Sequence, residues 1–207
     1  FEDVLGVEAE FFDRDDVTDW RSRLNSNRAS LHRGPALTKV HDMCEKGSRG
    51  RLLYAPESVV GVIHIVRCPL DVAVSLVPFF QLSPADAVKR MADENYWLHE
   101  QSEGSIDVFL PQHVSSWSKN VLSWLEEPSL PCLLVRYEDL LQDTGKQLKR
   151  MMEFCNVPWD ESRARAAIRG ASFQQLKKEE QTRGFNDKPI KAPACFCQGM
   201  AGGWGNI

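Results

Sequence analysis

Short apolar runs alternate along the chain with longer stretches in which apolar positions recur every three or four residues. Residues 59–66 (VVGVIHIV) carry the strongest strand signal. They are β-branched and nearly continuous, as in a strand buried on both faces. Residues 131–136 (PCLLVR) read as a second buried strand, and residues 36–40 as a short strand running into His41. Helical spacing is expected over residues 16–31, with Trp20 and Leu24 on one face, and over 70–80, 111–127, 143–155, 160–170 and 172–183. A further helix opens at Ser83-Pro84-Ala85-Asp86, which offers a capping hydroxyl, a Pro in the first turn and an early acid. Residues 46–51 form a Gly- and charge-rich loop, and period is lost after Gly184.

Strands alternating with amphipathic helices indicate an α/β domain with a parallel sheet flanked by helices. Ligands bind such sheets at the carboxyl ends of the strands. His41, Arg67 and Tyr137 each directly follow a strand candidate.

Composition narrows the function classes. The chain has 207 residues, 43% of them apolar, enough for one domain with a core and too short for two comfortable ones. The longest apolar stretch, interrupted by His64, is far shorter than the roughly 20 residues of a membrane span. A net charge of −4 argues against broad nucleic-acid binding, which depends on neutralising phosphates. No basic segment followed by an apolar one marks a signal peptide, and six cysteines without a C-x-x-C pair fit reduced thiols in a cytoplasm better than disulfides or zinc. The acids Asp13, Asp15 and Asp16 lack metal-site spacing and suit a helix start. No metal is expected.

Two constellations bear on chemistry. Arg67 leaves a strand just before a helix that contains Asp71 and Ser75, and helix N-termini hold phosphates well. An Arg fork adds bidentate charge. The plainer alternative pairs Arg67 with Asp71 and lets Ser75 bond its own helix. Lys39 and His41 alternate onto one side of their strand, where a base and an electrophile can cooperate. On local sequence alone, a surface His is the better reading. His64 reads as a core imidazole with a backbone partner, His113 belongs to no constellation, and the helix of Trp117 and Trp124 reads as core.

Taken in order, the segments ALTKVHD (36–42), VIHIVRCPLDVAVS (62–75), LLVRYEDLLQD (133–143), SFQQLKKEE (172–180) and QGMAGGW (198–204) resemble the sulfotransferases that use 3′-phosphoadenosine-5′-phosphosulfate (PAPS). The resemblance implies the sulfotransferase fold, a P-loop-NTPase-like parallel sheet, over a single domain of residues 1–207. It implies transfer of a sulfuryl group from PAPS to a small-molecule alcohol or phenol by in-line displacement. His41 would be the base and Lys39 would stabilise the transferring group. Arg67 and Ser75 would grip the 3′-phosphate, Tyr137, Ser172 and Phe173 would surround the adenine, and Gly199 would lie in the closing C-terminal loop. Residues 79–111, with Phe79, Phe80, Tyr96, Trp97 and Phe109, could line the acceptor pocket or serve as lid packing.

The chain departs from the family pattern in two places. No Ser-Gly-Thr-type loop for the 5′-phosphosulfate occurs within residues 1–35, and the start at Phe1 rather than Met leads to the expectation that an N-terminal part has been removed. Cys197-Gln198 stands where two cationic residues usually precede the Gly, with Lys188 or Lys191 as possible substitutes. These departures support an alternative, a catalytically degenerate sulfotransferase-fold binding module. A small-molecule kinase is disfavoured, because no Walker A motif or magnesium carboxylate is evident.

Overall fold

The computed structural model describes residues 14–31, 36–98, 111–185, 188, 192–196 and 199–206. The chain forms two compact units. One comprises Phe1–Val62 with Glu94–Pro131, the other Ile63–Asp93 with Cys132–Ile207.

The first unit contains helix α1 (Arg14–Leu31), the strand pair β2 (Trp97–Leu98) and β3 (Gln112–His113), and helix α4 (Trp117–Leu125). Among the described side chains of α1, residues 18–27, Thr18, Asp19 and Ser22 are buried while Trp20 and Leu24 are half-buried, so this stretch turns a polar face inward. That face bonds loop backbone: Ser22 Oγ donates to the Leu52 carbonyl at 2.8 Å and Asn25 Nδ2 to Leu53 at 3.3 Å. Leu53, Trp124 and Leu130 form the apolar core, and the Tyr54 ring lies 6.1 Å from that of Trp124.

The helix expected over 111–127 begins only at Trp117. Gln112 and His113 pair antiparallel with Leu98 and Trp97 instead. Ser115 then takes a left-handed conformation (φ 62°), and the Ser116 hydroxyl caps α4 by accepting from the Lys119 N–H. Residues 36–40 form no strand. They are largely exposed, Leu37 to 91%, and no ladder partner pairs with them among the described residues.

In the second unit, which takes β1 (Val62–Val66) from Ile63 onward, β1 pairs in parallel with β4 (Cys132–Arg136). Each strand feeds a helix: α2 (Pro69–Phe80) and then α3 (Pro84–Ala92) after β1, α5 (Tyr137–Gln142), α6 (Thr144–Phe154), α7 (Glu161–Gly170) and α8 (Phe173–Arg183) after β4. Three of these helix starts are set by side chains legible in the sequence. Ser83 accepts from the Asp86 N–H, Asp143 from Lys146 and Asp160 from Arg163. The strands are less enclosed than their apolar sequences imply. Val135 is fully buried, but Ile65 is 53% and Leu134 37% exposed. Among the described residues this sheet has two strands, which offer too little neighbouring surface to cover both faces.

His64, midway along β1, departs from expectation in a second way. Its Nε2 is buried and finds no hydrogen-bond partner among the described residues. Burial lowers the imidazole pKa below its ordinary value. The unfolded chain therefore takes up a proton that the folded chain resists, and stability falls as pH drops below about 6.5, the ordinary value for His. Thermal melts at pH 8 and pH 5.5 are expected to converge for His64→Phe relative to the parent chain.

Candidate active site

The second unit carries a cavity of about 360 Å³ between the face of α2 that carries Asp71, Val74, Ser75 and Pro78, the start of α5, the start of α8, and Cys195, Phe196 and Gly199. The α2 positions are spaced i, i+3, i+4, i+7 and so share one side of the helix. Arg67 stands at the end of β1 and opens this wall. Its guanidinium lies 4.6 Å above the ring of Tyr137, the first residue of α5, and Nη2 donates to the Met200 carbonyl at 2.8 Å. Arg67 Nε is buried and has no partner among the described residues. Glu138 joins the two strand ends, accepting the Cys68 N–H at 2.8 Å.

Asp71 does not pair with Arg67. It is 2% exposed and accepts two backbone N–H groups of the C-terminal segment, Gly202 at 2.8 Å and Trp204 at 3.2 Å. A buried carboxylate satisfied this way is a fixed anchor. Glu180 of α8 similarly accepts from Cys195 at 2.6 Å and Phe196 at 3.2 Å. The two acids tie the segment to both walls of the cavity. Neither role is legible locally, because Asp71 and Gly202 lie 131 residues apart.

Gly199 closes the cavity against Phe173. Its φ is +59°, and a Cβ there would collide with the Phe173 ring. Gly199→Ala is therefore expected to displace the segment or the ring, lowering the melting temperature and weakening any ligand of this cavity by roughly tenfold, through left-handed strain and overpacking.

Arg67, Ser75, Tyr137, Phe173 and Gly199 thus converge on one cavity. Ser172 does not. It is exposed at the N-terminal cap of α8 and makes no side-chain cap bond, and Ala171 lines the wall instead.

Lys39 and His41 belong to the first unit. Both are exposed and lie outside regular secondary structure. The His41 N–H donates to Gln112 Oε1 at 2.9 Å, and its carbonyl accepts from Asn120 Nδ2 at 3.1 Å. Asp42 follows, 2% exposed. Its two oxygens take both terminal nitrogens of Arg21 at 2.6 and 2.7 Å, and Oδ1 also takes the His113 N–H at 3.1 Å. This pairing and its Coulomb attraction hold the Arg21 pKa above its ordinary value despite desolvation.

His113 is part of a constellation after all. Its ring stacks 4.6 Å from Trp97, Nδ1 faces Glu45 Oε2 at 2.7 Å and Nε2 faces the Glu94 carbonyl at 3.1 Å. Oxygen acceptors on both nitrogens favour the imidazolium, and the Glu45 hydrogen bond raises its pKa. Of the remaining aromatics, Phe79 and Phe80 meet edge to face at 4.9 Å, and Arg90 lies 4.6 Å over Phe80. Lys188 Nζ donates to the Ala192 carbonyl at 3.2 Å. Phe109, Lys191, Cys197 and Gln198 lie outside the described residues.

A family model described as the sulfotransferase domain matches residues 55–206, nearly three-quarters of the chain. The chain belongs to the sulfotransferase domain family. The matched span contains Arg67, Ser75, Tyr137, Phe173 and Gly199, and begins after Lys39 and His41. Sulfotransferase 1A1 of Bos taurus is 28% identical over 126 residues, covering 59% of this chain and 39% of that protein. The chain therefore spans about two fifths of the length of the curated relatives it matches. A mouse sulfotransferase, SULT7A1, solved in complex with PAP, superposes with a TM-score of 0.51 at 23% identity, over 70% of this chain and 52% of that one. Retinol dehydratase, solved with androsterone and the inactive cofactor PAP, gives 0.51 at 18% identity, over 73% and 43%. At these identities the likeness establishes the fold, a sulfotransferase-type α/β architecture with a parallel sheet. Among the described residues no cluster of three or more His, Cys, Asp or Glu is arranged to hold a metal, and no helix is long and apolar enough to cross a membrane.

Proposed function

We propose that this sulfotransferase-family chain uses PAPS as cosubstrate and transfers its sulfuryl group to a small-molecule alcohol or phenol, in the cytoplasm and without a metal. The observation that carries the reading is the convergence of Arg67, Ser75, Tyr137, Phe173 and Gly199 on one cavity of the second unit. Its chemistry suits the 3′-phosphoadenosine end of the cosubstrate. Arg67 supplies charged donors, including a buried Nε with no partner among the described residues, and Ser75 supplies an exposed hydroxyl for the phosphate. Tyr137, Phe173 and the apolar side chains of Val74 and Pro78 suit a flat base. Asp71 and Glu180 hold the segment that carries Gly199 against these groups.

PAPS supplies the activated sulfuryl group. The protein then has to bind, orient and stabilise charge. In this reading, binding energy from the remote 3′-phosphate serves to orient the reacting end. His41 removes the proton of the acceptor hydroxyl, a task suited to an imidazole near neutral pH, and Lys39 places a positive charge near the transferring oxygens.

Transfer of label from [³⁵S]PAPS to a panel of phenols and aliphatic alcohols tests the reading. His41→Ala is expected to lower the rate by about 100-fold or more while PAP affinity stays within twofold, the usual signature of a lost general base. A parent chain that yields no labelled product and binds no PAP would refute the sulfotransferase reading. An undiminished rate in His41→Ala would refute the base assignment alone.

A further inference from the structure

The backbone around His41 is organised by side chains rather than by a strand or helix. Residues 41–44 have no ladder partner among the described residues, yet each of them has a main-chain group bonded. The His41 N–H goes to Gln112 Oε1 and its carbonyl accepts from Asn120 Nδ2. The Asp42 carbonyl accepts from Trp124 Nε1 at 3.0 Å. The Met43 N–H goes to the His113 carbonyl at 2.7 Å, and the Cys44 N–H to Ser123 Oγ at 2.8 Å. Asn120, Ser123 and Trp124 are spaced i, i+3, i+4 on α4 and so share one side of the helix. That stripe of polar side chains, together with β3, stands in for a neighbouring strand.

At His41 the arrangement is strict. Asn120 Nδ2 donates to two carbonyls, His41 at 3.1 Å and Val114 at 2.9 Å. Two acceptors engage both protons of one amide nitrogen, so the amide can sit only one way round. Gln112 holds the opposite face of the same residue through its N–H, and in β3 it is itself fixed opposite Leu98. An exposed residue in an irregular segment would ordinarily sample many backbone angles. Here both backbone groups of His41 are pinned by side chains 71 and 79 residues away.

We propose that Asn120 and Gln112 are positioning residues for His41: they fix the main chain from which its imidazole projects, so that the ring reaches the acceptor hydroxyl from one fixed Cα position. The proposal rests on the reading of His41 as the base. Misplacement of a catalytic group by about 1 Å costs on the order of 100-fold in rate. Asn120→Asp keeps the shape and removes both donors, setting a carboxylate against two carbonyls. It is expected to lower kcat by roughly 10- to 100-fold with KM for PAPS within about twofold. Gln112→Met, similar in size and lacking the acceptor, is expected to lower kcat in the same way but less. Asn120→His retains an N–H donor near the position of Nδ2 and is expected to recover part of the loss.

The second readout needs no turnover. The titrating imidazole Cε1–H signal of His41, assigned by its loss in His41→Ala, is expected to shift or broaden in Asn120→Asp and Gln112→Met, and to return toward the parent position in Asn120→His. Rates that fall only in proportion to the folded fraction, with an unmoved His41 signal, would overturn the proposal. Should the parent chain prove inactive, the imidazole signal alone decides whether these residues hold His41. Should His41→Ala retain the parent rate, the base reading fails, and with it the catalytic part of the proposal, whatever the signal shows.

Discussion

Arg67→Ala is expected to weaken PAP binding by on the order of 100-fold, about 3 kcal/mol. The guanidinium is the charged group that opens the cavity wall, and charge-assisted hydrogen bonds to phosphate are each worth about 1.5–3 kcal/mol. Removing it also strips the cation from the face of Tyr137 and releases the Met200 carbonyl, so the closing segment loses one of its ties. Arg67→Lys keeps the charge but not the planar fork, and is expected to recover less than half of the lost binding energy. Adenosine 5′-monophosphate, which lacks the 3′-phosphate, should lose much less affinity than PAP. Isothermal titration of both ligands against the three proteins separates these outcomes. A PAP affinity within twofold of the parent in Arg67→Ala would mean that the phosphate is held elsewhere.

The largest stability effect is expected at Asp42. Its carboxylate is 1% exposed and its partner Arg21 12%, so the pair is desolvated. Asp42→Ala leaves the guanidinium buried without its counter-charge and also takes the acceptor from the His113 N–H. Breaking a buried pair by removing one partner costs about 3–5 kcal/mol. Domains are stable by only about 5–15 kcal/mol, so much of the first unit's stability would go. Asp42→Asn preserves shape and some hydrogen bonding and should cost less. Combining Asp42→Leu with Arg21→Met removes both charges and is expected to be less destabilising than Asp42→Ala. Urea denaturation followed by Trp fluorescence reads the series, with Trp124 Nε1 bonded to the Asp42 carbonyl as a local reporter.

Much of the second unit was legible because its signals are local. Ser83, Asp143 and Asp160 announce helix starts within three residues, and an Arg leaving an apolar strand before Pro69 announces the cavity wall. Five of the six nucleotide-site expectations lie at the cavity. Ser172 stands between the lining residues Ala171 and Phe173 without lining the cavity itself, a one-position distinction that helix periodicity does not make. The alternative that pairs Asp71 with Arg67 is not what the structure shows, because the partners of Asp71 arrive from a segment 131 residues away.

The first unit was less legible for the same reason. Residues 36–40 have strand-like composition, but a strand exists only where a ladder partner does, and these residues have none among those described. The bonds that hold His41 and Asp42 come from Arg21, Gln112, Asn120 and Trp124, none of them at a short spacing. The tail of the helix expected over 111–127 was right, but the tertiary pairing of Gln112 and His113 with Leu98 and Trp97 overrode helical spacing at its start.

The most direct test of the central claim, that the second unit's cavity takes the 3′-phosphoadenosine end of PAPS, is calorimetric titration of the parent chain with PAP and with adenosine 5′-monophosphate. The two ligands differ only in the 3′-phosphate. PAP is expected to bind more tightly by roughly 10- to 150-fold, the worth of one charge-assisted hydrogen bond at about 1.5–3 kcal/mol. Equal affinities, or a preference for the monophosphate, would contradict it.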